Sequence, residues 1–263
     1  MKKAVVGSLV AIASLGLAYL GAAQRADAAD FGPRPLLPPD ATWTGWYAGI
    51  NAGGLWADGN AQWNPLPSPE LFGFNGASSD ISTSGLVAGF QGGFNYQVAP
   101  AWVAGIEADL TGSHATSTAL TPWTAFGTNV PLAGAYTQEI RTLEWLSTVR
   151  GRIGYLVTPA MLLYFTGGAA WAGASYAGGD AAPVGGGYAT AVSFYQPQFG
   201  YVLGGGVEFA TWDRWLLRGE YLFHRFSDVS AIGGAPNFPS FPTGYSWTGF
   251  DVHELRAAVS YRF

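Results

Sequence analysis

The chain has no cysteine, and its only lysines are Lys2 and Lys3. The first absence excludes disulfides and thiolate metal sites as sources of stability. The second, with an acidic balance of charge, excludes the basic footprint of a nucleic-acid-binding protein and a polybasic membrane patch. Charged residues are scarce, 11% of the chain against 49% hydrophobic, yet beyond the N-terminus no apolar run is long enough for a membrane helix. The apolar residues must then be dispersed in short alternating segments, as in strands that turn one side to lipid. The strands of a secreted sandwich alternate as well.

What is present begins with export. Lys2 and Lys3 precede an apolar stretch over 4–20 and an Ala26-Asp27-Ala28 pattern that suits cleavage before Ala29, so residues 1–28 read as a secretory signal peptide and drop out of the fold. Cleavage there leaves a formal charge of −7 and no lysine. Four prolines over 31–42 make residues 29–43 an extended periplasmic arm, followed by one barrel domain over 44–263.

Eight segments alternate with a period of two: 44–56, 84–96, 102–111, 140–156, 161–172, 198–210, 215–226 and 252–263. In the first, Trp46, Ala48, Ile50 and Ala52 oppose Tyr47, Gly49, Asn51 and Gly53. In the last, Leu255, Ala257, Val259, Tyr261 and Phe263 oppose Glu254, Arg256, Ser260 and Arg262. A strand with one apolar and one charged face borders lipid on one side and a polar lumen on the other. The connections alternate as well. Residues 57–83, 112–139, 173–197 and 227–251 are long and rich in Gly, Ser, Thr, Ala and Pro, whereas 97–101, 157–160 and 211–214 are short. The expected fold is all-β, an eight-stranded antiparallel up-and-down transmembrane barrel with four long outer loops and three short periplasmic turns. Trp46, Tyr96, Trp102, Tyr155, Phe209, Trp212 and Trp215, continued by Tyr261 and Phe263, fall at one level and predict an aromatic girdle at the periplasmic interface.

The residues that carry a resemblance are Trp43-Thr44-Gly45-Trp46-Tyr47-Ala48-Gly49, Val149-Arg150-Gly151-Arg152-Ile153-Gly154-Tyr155, Thr166-Gly167-Gly168 and Ser260-Tyr261-Arg262-Phe263. In order and spacing they resemble the eight-stranded OmpA-like barrels, and more narrowly the small porin-family or outer-membrane immunogenic proteins of alpha-proteobacteria. The resemblance implies that the aromatic C-terminal strand, through Tyr261 and Phe263, is read by the outer-membrane assembly machinery. No linker or peptidoglycan-binding domain follows Phe263, so the expectation is the short, one-domain form.

On the inner parity lie Glu107, Asp109, Glu144, Glu208, Glu220 and Glu254 against Arg150, Arg152, Arg218, Arg256 and Arg262. In a lumen about as wide as its own side chains, near-balance implies a paired network filling the interior. The alternative is a narrow porin-like channel for ions or small solutes. An enzyme acting on lipid at the rim would draw on His224, Ser227, His253 and Glu254, but no nucleophile–base–acid spacing supports it, and the three histidines, His114 included, are too scattered for a metal. The expectation is therefore no catalysis, no metal and no cofactor. Glycine-rich stretches such as 85–93 and 204–206 lack the strand-to-helix context of a phosphate loop and suit a wall that must make room for bulky inner groups. Expected partners are outer-membrane lipid and lipopolysaccharide, the assembly machinery, and host or surface ligands at the loops; the expected state is a monomer. Aromatics in or beside the loops, Trp56, Trp63, Trp123, Phe126, Tyr188, Tyr195, Phe241, Tyr245 and Trp247, are candidates for binding, for packing the loops together or for sitting at the lipopolysaccharide level.

Overall fold

In the computed structural model the described residues are 42–66, 75–183, 188–211, 214–234, 240 and 242–263. The expected signal peptide and most of the arm lie outside them, as do Trp212, Phe241 and the side chain of Tyr188. The described elements are all strands: β1 (Gly45–Pro65), β2 (Ala77–Ala99), β3 (Trp102–Thr124), β4 (Pro131–Thr158), β5 (Met161–Ala182), β6 (Tyr188–Ala210), β7 (Trp215–Phe226), β8 (Val229–Gly233) and β9 (Thr243–Arg262). Each pairs antiparallel with its neighbour, and β1 pairs with β9 from Tyr47↔Arg262 to Pro65↔Thr243, which closes the sheet. β7 and β8 occupy one position in the wall. Arg225↔Asp251 on β7 and Val229↔Trp247 on β8 keep the same register against β9, so the barrel has eight staves, the seventh interrupted at Ser227 and Asp228.

The lower part of the wall follows the alternation. Trp46, Ile50, Phe90, Ile106, Val149, Phe165 and Leu203 are exposed, and the intervening Tyr47, Asn51, Gln91, Glu107, Arg150, Tyr164 and Val202 are buried. Trp46, Tyr96, Trp102, Tyr155, Phe209 and Trp215 stand exposed at the lower end, where the rings of Trp102 and Tyr155 and of Trp215 and Tyr261 meet edge to face at 5.4 and 5.3 Å. A second aromatic level stands above the first. Trp56, Trp171, Phe199, Tyr201 and Tyr221 ring the outside about ten residues further up, with Trp171 on Phe199 at 5.6 Å and Trp56 near Tyr221 at 6.3 Å. Ten residues at ~3.4 Å, tilted by ~40°, rise about 25 Å, the height of an outer-membrane apolar band.

The long outer loops are a correction. Strands continue through 57–65, 77–83, 112–124, 131–139, 173–182, 188–197, 229–233 and 243–251, and β3 and β4 are joined by only 125–130, closed by Ala125 N donating to the Val130 carbonyl at 3.0 Å. The ladder persists because period two persists. Above the upper girdle the outward positions become Ser78, Asp80, Ser82 and Ser84 on β2 and His114, Thr116 and Thr118 on β3, so the composition turns loop-like while the backbone stays paired.

Two irregularities reset the parity. Opposite β5, Leu143 pairs with Ala174 and Trp145 with Gly173, leaving Glu144 as an extra residue, which reverses inside and outside above it. On β9, the register against β1 shifts between Asp58 and Asn60, opposite Gly249, whose φ of 63° is a left-handed conformation that glycine adopts without strain.

Amide hydrogen exchange on the detergent-solubilised barrel tests the extended staves. Residues 112–124 and 131–143 should exchange as slowly as the lipid-level strands; rapid exchange throughout both segments would restore the loop assignment.

Candidate functional site: the layered lumen

Inward side chains form successive layers. At the periplasmic end Trp43, Tyr47, Val103, Leu162, Tyr164, Ala210 and Leu216 pack together, and Trp43 Nε1 donates to the Pro159 carbonyl at 3.1 Å. Trp43, the last residue assigned to the arm, is thus part of the barrel.

Above this lies a charge layer. Glu107 and Arg150, Glu208 and Arg218, and Glu220 and Arg256 are direct cross-strand partners, and their head groups reach across the lumen. Arg150 contacts Glu107, Asp109 at 2.9 Å and Glu220 at 3.0 Å. Arg256 contacts Asp109 at 2.9 Å, Glu220 at 2.8 Å and Glu254 at 3.4 Å. Arg152 meets Glu208 at 3.0 Å and Glu107 at 3.7 Å, and Arg218 meets the same two acids at 2.6 and 2.5 Å. Every one of these side chains is buried. Four arginines face five carboxylates, and His224 Nε2 sits 3.3 Å from Glu254. Tyr164 donates to Glu220 at 2.8 Å, and the Arg152 guanidinium lies 4.1 Å from the Tyr164 ring centroid. A Cβ at Gly206, beside Glu220, would stand 2.7 Å from the Tyr164 hydroxyl; the wall is thin where the lumen is most crowded.

Two expected members lie elsewhere. Glu144, turned outward by the bulge it occupies, is exposed and accepts a hydrogen bond from Ser175. Arg262 donates from Nη1 to the Thr42 carbonyl at 2.6 Å at the periplasmic end and makes no ion pair among the described residues. Tyr261 packs between Trp215 and Phe263, and Phe263 N donates to the Trp46 carbonyl at 2.9 Å.

Next comes an aliphatic layer that includes Leu55, Val87, Leu143, Leu146, Val202, Leu222, Phe226, Phe250 and Val252. Above it an aromatic layer holds Trp63, Trp123, Tyr176, Tyr245 and Trp247, with Trp63 stacked on Trp123 at 4.9 Å and Tyr176 against Trp247 at 5.1 Å. Four of these five, Trp63, Trp123, Tyr245 and Trp247, were placed in or beside outer loops by composition; the parity of the extended staves brings all four inside. Asp180 is buried there and accepts from Thr137 and Thr190 at 2.6 Å each and from Tyr245 at 2.8 Å. Glu139 and Arg141, on the inner face of β4 above the bulge, were missed, Glu139 because 112–139 read as a loop and Arg141 because the reversed parity set it on the outer face. Burial, reinforced by Asp180, pushes the Glu139 carboxyl up to about 8. Burial lowers Arg141 to about 10 against the opposing influence of Tyr176 and Asp58.

Of the residues considered for rim catalysis, His224 and Glu254 meet inside the barrel, while Ser227 is exposed and His253 lies across the wall. His224 is inside; His253 is outside, stacked on Trp56 at 5.5 Å with Nδ1 2.6 Å from the Tyr221 hydroxyl. Among the described residues no three His, Cys, Asp or Glu side chains are grouped for a metal ion.

A closed antiparallel wall, lipid-facing outside between two aromatic levels and polar within, defines a transmembrane β-barrel of the outer-membrane class. The chain belongs to the outer membrane protein beta-barrel domain family, whose model matches residues 12–263. It is similar to the 31 kDa outer-membrane immunogenic proteins of Brucella melitensis biotype 1 and Brucella suis biovar 1, each 28% identical over 97% of this chain and 99% of the relative. Among solved structures it aligns with OprG of Pseudomonas aeruginosa at 11% identity, over 84% of this chain and 97% of that one, with a TM-score of 0.45. Ail of Yersinia pestis aligns at 12% identity, over 81% and 99%, with a TM-score of 0.30.

Removing one partner of a buried ion pair strands the other charge, so Glu220→Ala should destabilise the barrel by about 3–5 kcal/mol, while Glu144→Ala leaves stability unchanged. Denaturant unfolding in micelles distinguishes the two, and equal losses would contradict the layer. Glu139 binds its proton more tightly folded than unfolded, so between its unfolded value near 4.5 and about 8 the folded state holds more protons and loses stability as pH rises. Relative to the parent, Glu139→Gln should be increasingly stabilising from pH 5 to pH 8.5, read as the temperature at which the folded gel band disappears. A difference independent of pH would remove Glu139 as the titrating group.

Proposed function

We propose that this outer-membrane protein is a closed scaffold, neither conducting nor catalytic, whose part above the membrane serves as an interaction surface. The observation that carries the reading is the unbroken stacking of the lumen: an aromatic plug, a charge layer, an aliphatic layer and an aromatic layer, all buried. An aliphatic layer above ion-paired groups excludes the water that a permeant ion needs, and the acids and arginines spend their hydrogen bonds on one another. The Brucella relatives are named as immunogenic proteins, which accords with exposure at the cell surface. The two aromatic levels suit outer-membrane lipid below and lipopolysaccharide above, and the C-terminal aromatics, Tyr261 partly exposed and Phe263 exposed, suit recognition by the assembly machinery. We read the barrel as a monomer, its sheet having no free edge within the membrane.

Planar-bilayer recordings test the closure. The purified protein should add no steady conductance. Ion currents that change when Glu107 or Arg218 is neutralised would establish instead a narrow pore through the charge layer.

A further inference from the structure

The four arginines of the charge layer each have at least two carboxylates within 4 Å. Arg141, in the upper lumen, has none among the described residues. Both terminal nitrogens of its buried guanidinium lack a hydrogen-bond partner, and its carbon lies 3.8 Å from the Phe250 ring centroid. Asp58 favours the cation, but from the exposed face of β1 and without an ion pair. An uncompensated buried cation is costly, and a native chain that keeps one calls for a counter-charge.

The surroundings are donors. Ser117 Oγ and Trp247 Nε1 are buried without a partner, as are both Glu139 oxygens. Ser117 on β3, Arg141 on β4 and Tyr176 on β5 form one cross-strand row; Trp247 packs on Tyr176 at 5.1 Å; Glu139 is two residues from Arg141 on the same face. Near neutral pH Glu139 keeps its proton and so offers a donor as well. One cation among several donors fits one negative charge. The planar guanidinium fork matches two coplanar oxygens, and the rings of Phe250, Tyr176 and Trp247 provide an apolar wall. We propose that the outer lumen binds a small monovalent carboxylate, gripped by Arg141 and completed by Ser117, Trp247 and Glu139. This goes beyond the scaffold reading and does not depend on it, since a site above the aliphatic layer is the same whether or not ions pass below.

The test supplies the probe during folding, so that entry past the stacked tryptophans is not limiting. Protein refolded into micelles with sodium acetate is compared with protein refolded in sodium chloride of equal ionic strength, and with acetamide as the uncharged isostere. Unfolding temperature and tryptophan fluorescence are read across an acetate titration. Acetate should stabilise saturably and alter the fluorescence, with chloride and acetamide inert. Arg141→Leu should abolish the response, and Ser117→Ala should weaken apparent affinity about tenfold. Equal responses to acetate and chloride would show no preference for a carboxylate, and the proposal fails. It fails too if acetate still acts on Arg141→Leu. Should that variant not fold, Ser117→Ala and Trp247→Phe decide, an undiminished response in both overturning the site.

Discussion

Backbone groups in lipid have no water to bind, so each N–H and C=O that crosses the bilayer must be satisfied within the wall. The pairing of β1 with β9 meets that requirement. With it the lipid-facing residues form a continuous belt and the inward residues are confined to a space about as wide as themselves; without it the sheet has two open edges in hydrocarbon. The layers, the girdles and the burial of nine charged side chains at one level all presuppose the closed ladder.

Inside that ladder the choice of cation matters. A lysine ammonium is a compact point charge, whereas a guanidinium presents five donors in a fixed plane. Arg150 and Arg256 each use this reach to bind three carboxylates, among them Asp109 on β3 and Glu220 on β7, tying β3, β4, β7 and β9 together in addition to their backbone ladders. Burying so many ions is not a source of net stability by itself. It does penalise any slipped register, because a one-residue shift would send the whole charged set of a strand into lipid.

Period two carried most of this into the sequence. The eight staves, the periplasmic turns and the lipid face from Trp46 to Trp56 were legible, because an apolar outer face and a polar inner face contrast strongly at membrane level. The contrast fades higher up, where Ser82 and Thr116 look outward to water while Ala61 and Trp63 look inward, so extended strand was read as loop. Glu144 and Gly249 then reverse the parity on β4 and β9, and no composition signal marks a bulge before the partner strand is known. That is why Glu144 was assigned to the lumen and Arg141 was not, whereas Glu139, Tyr245 and Trp247 fell in stretches whose composition read as loop. The inner acids from Glu107 to Glu254 could be placed on a face; which arginine each would meet depended on a register that only the folded wall defines.

The seam between β1 and β9 joins residues far apart in the chain, Tyr47 with Arg262 at its lower end and Pro65 with Thr243 at its upper. Such a contact forms only after β9 has been made, and the links from Arg256 to Asp109 and from Arg218 to Glu107 wait on the strands of the same closing half. Their charges keep their water until the cylinder shuts and surrender it together. Dehydration of that cluster therefore belongs to the last step of folding and the first step of unfolding, which makes the finished barrel slow to open as well as slow to form. Its persistence in the membrane is then a matter of rate as much as of equilibrium.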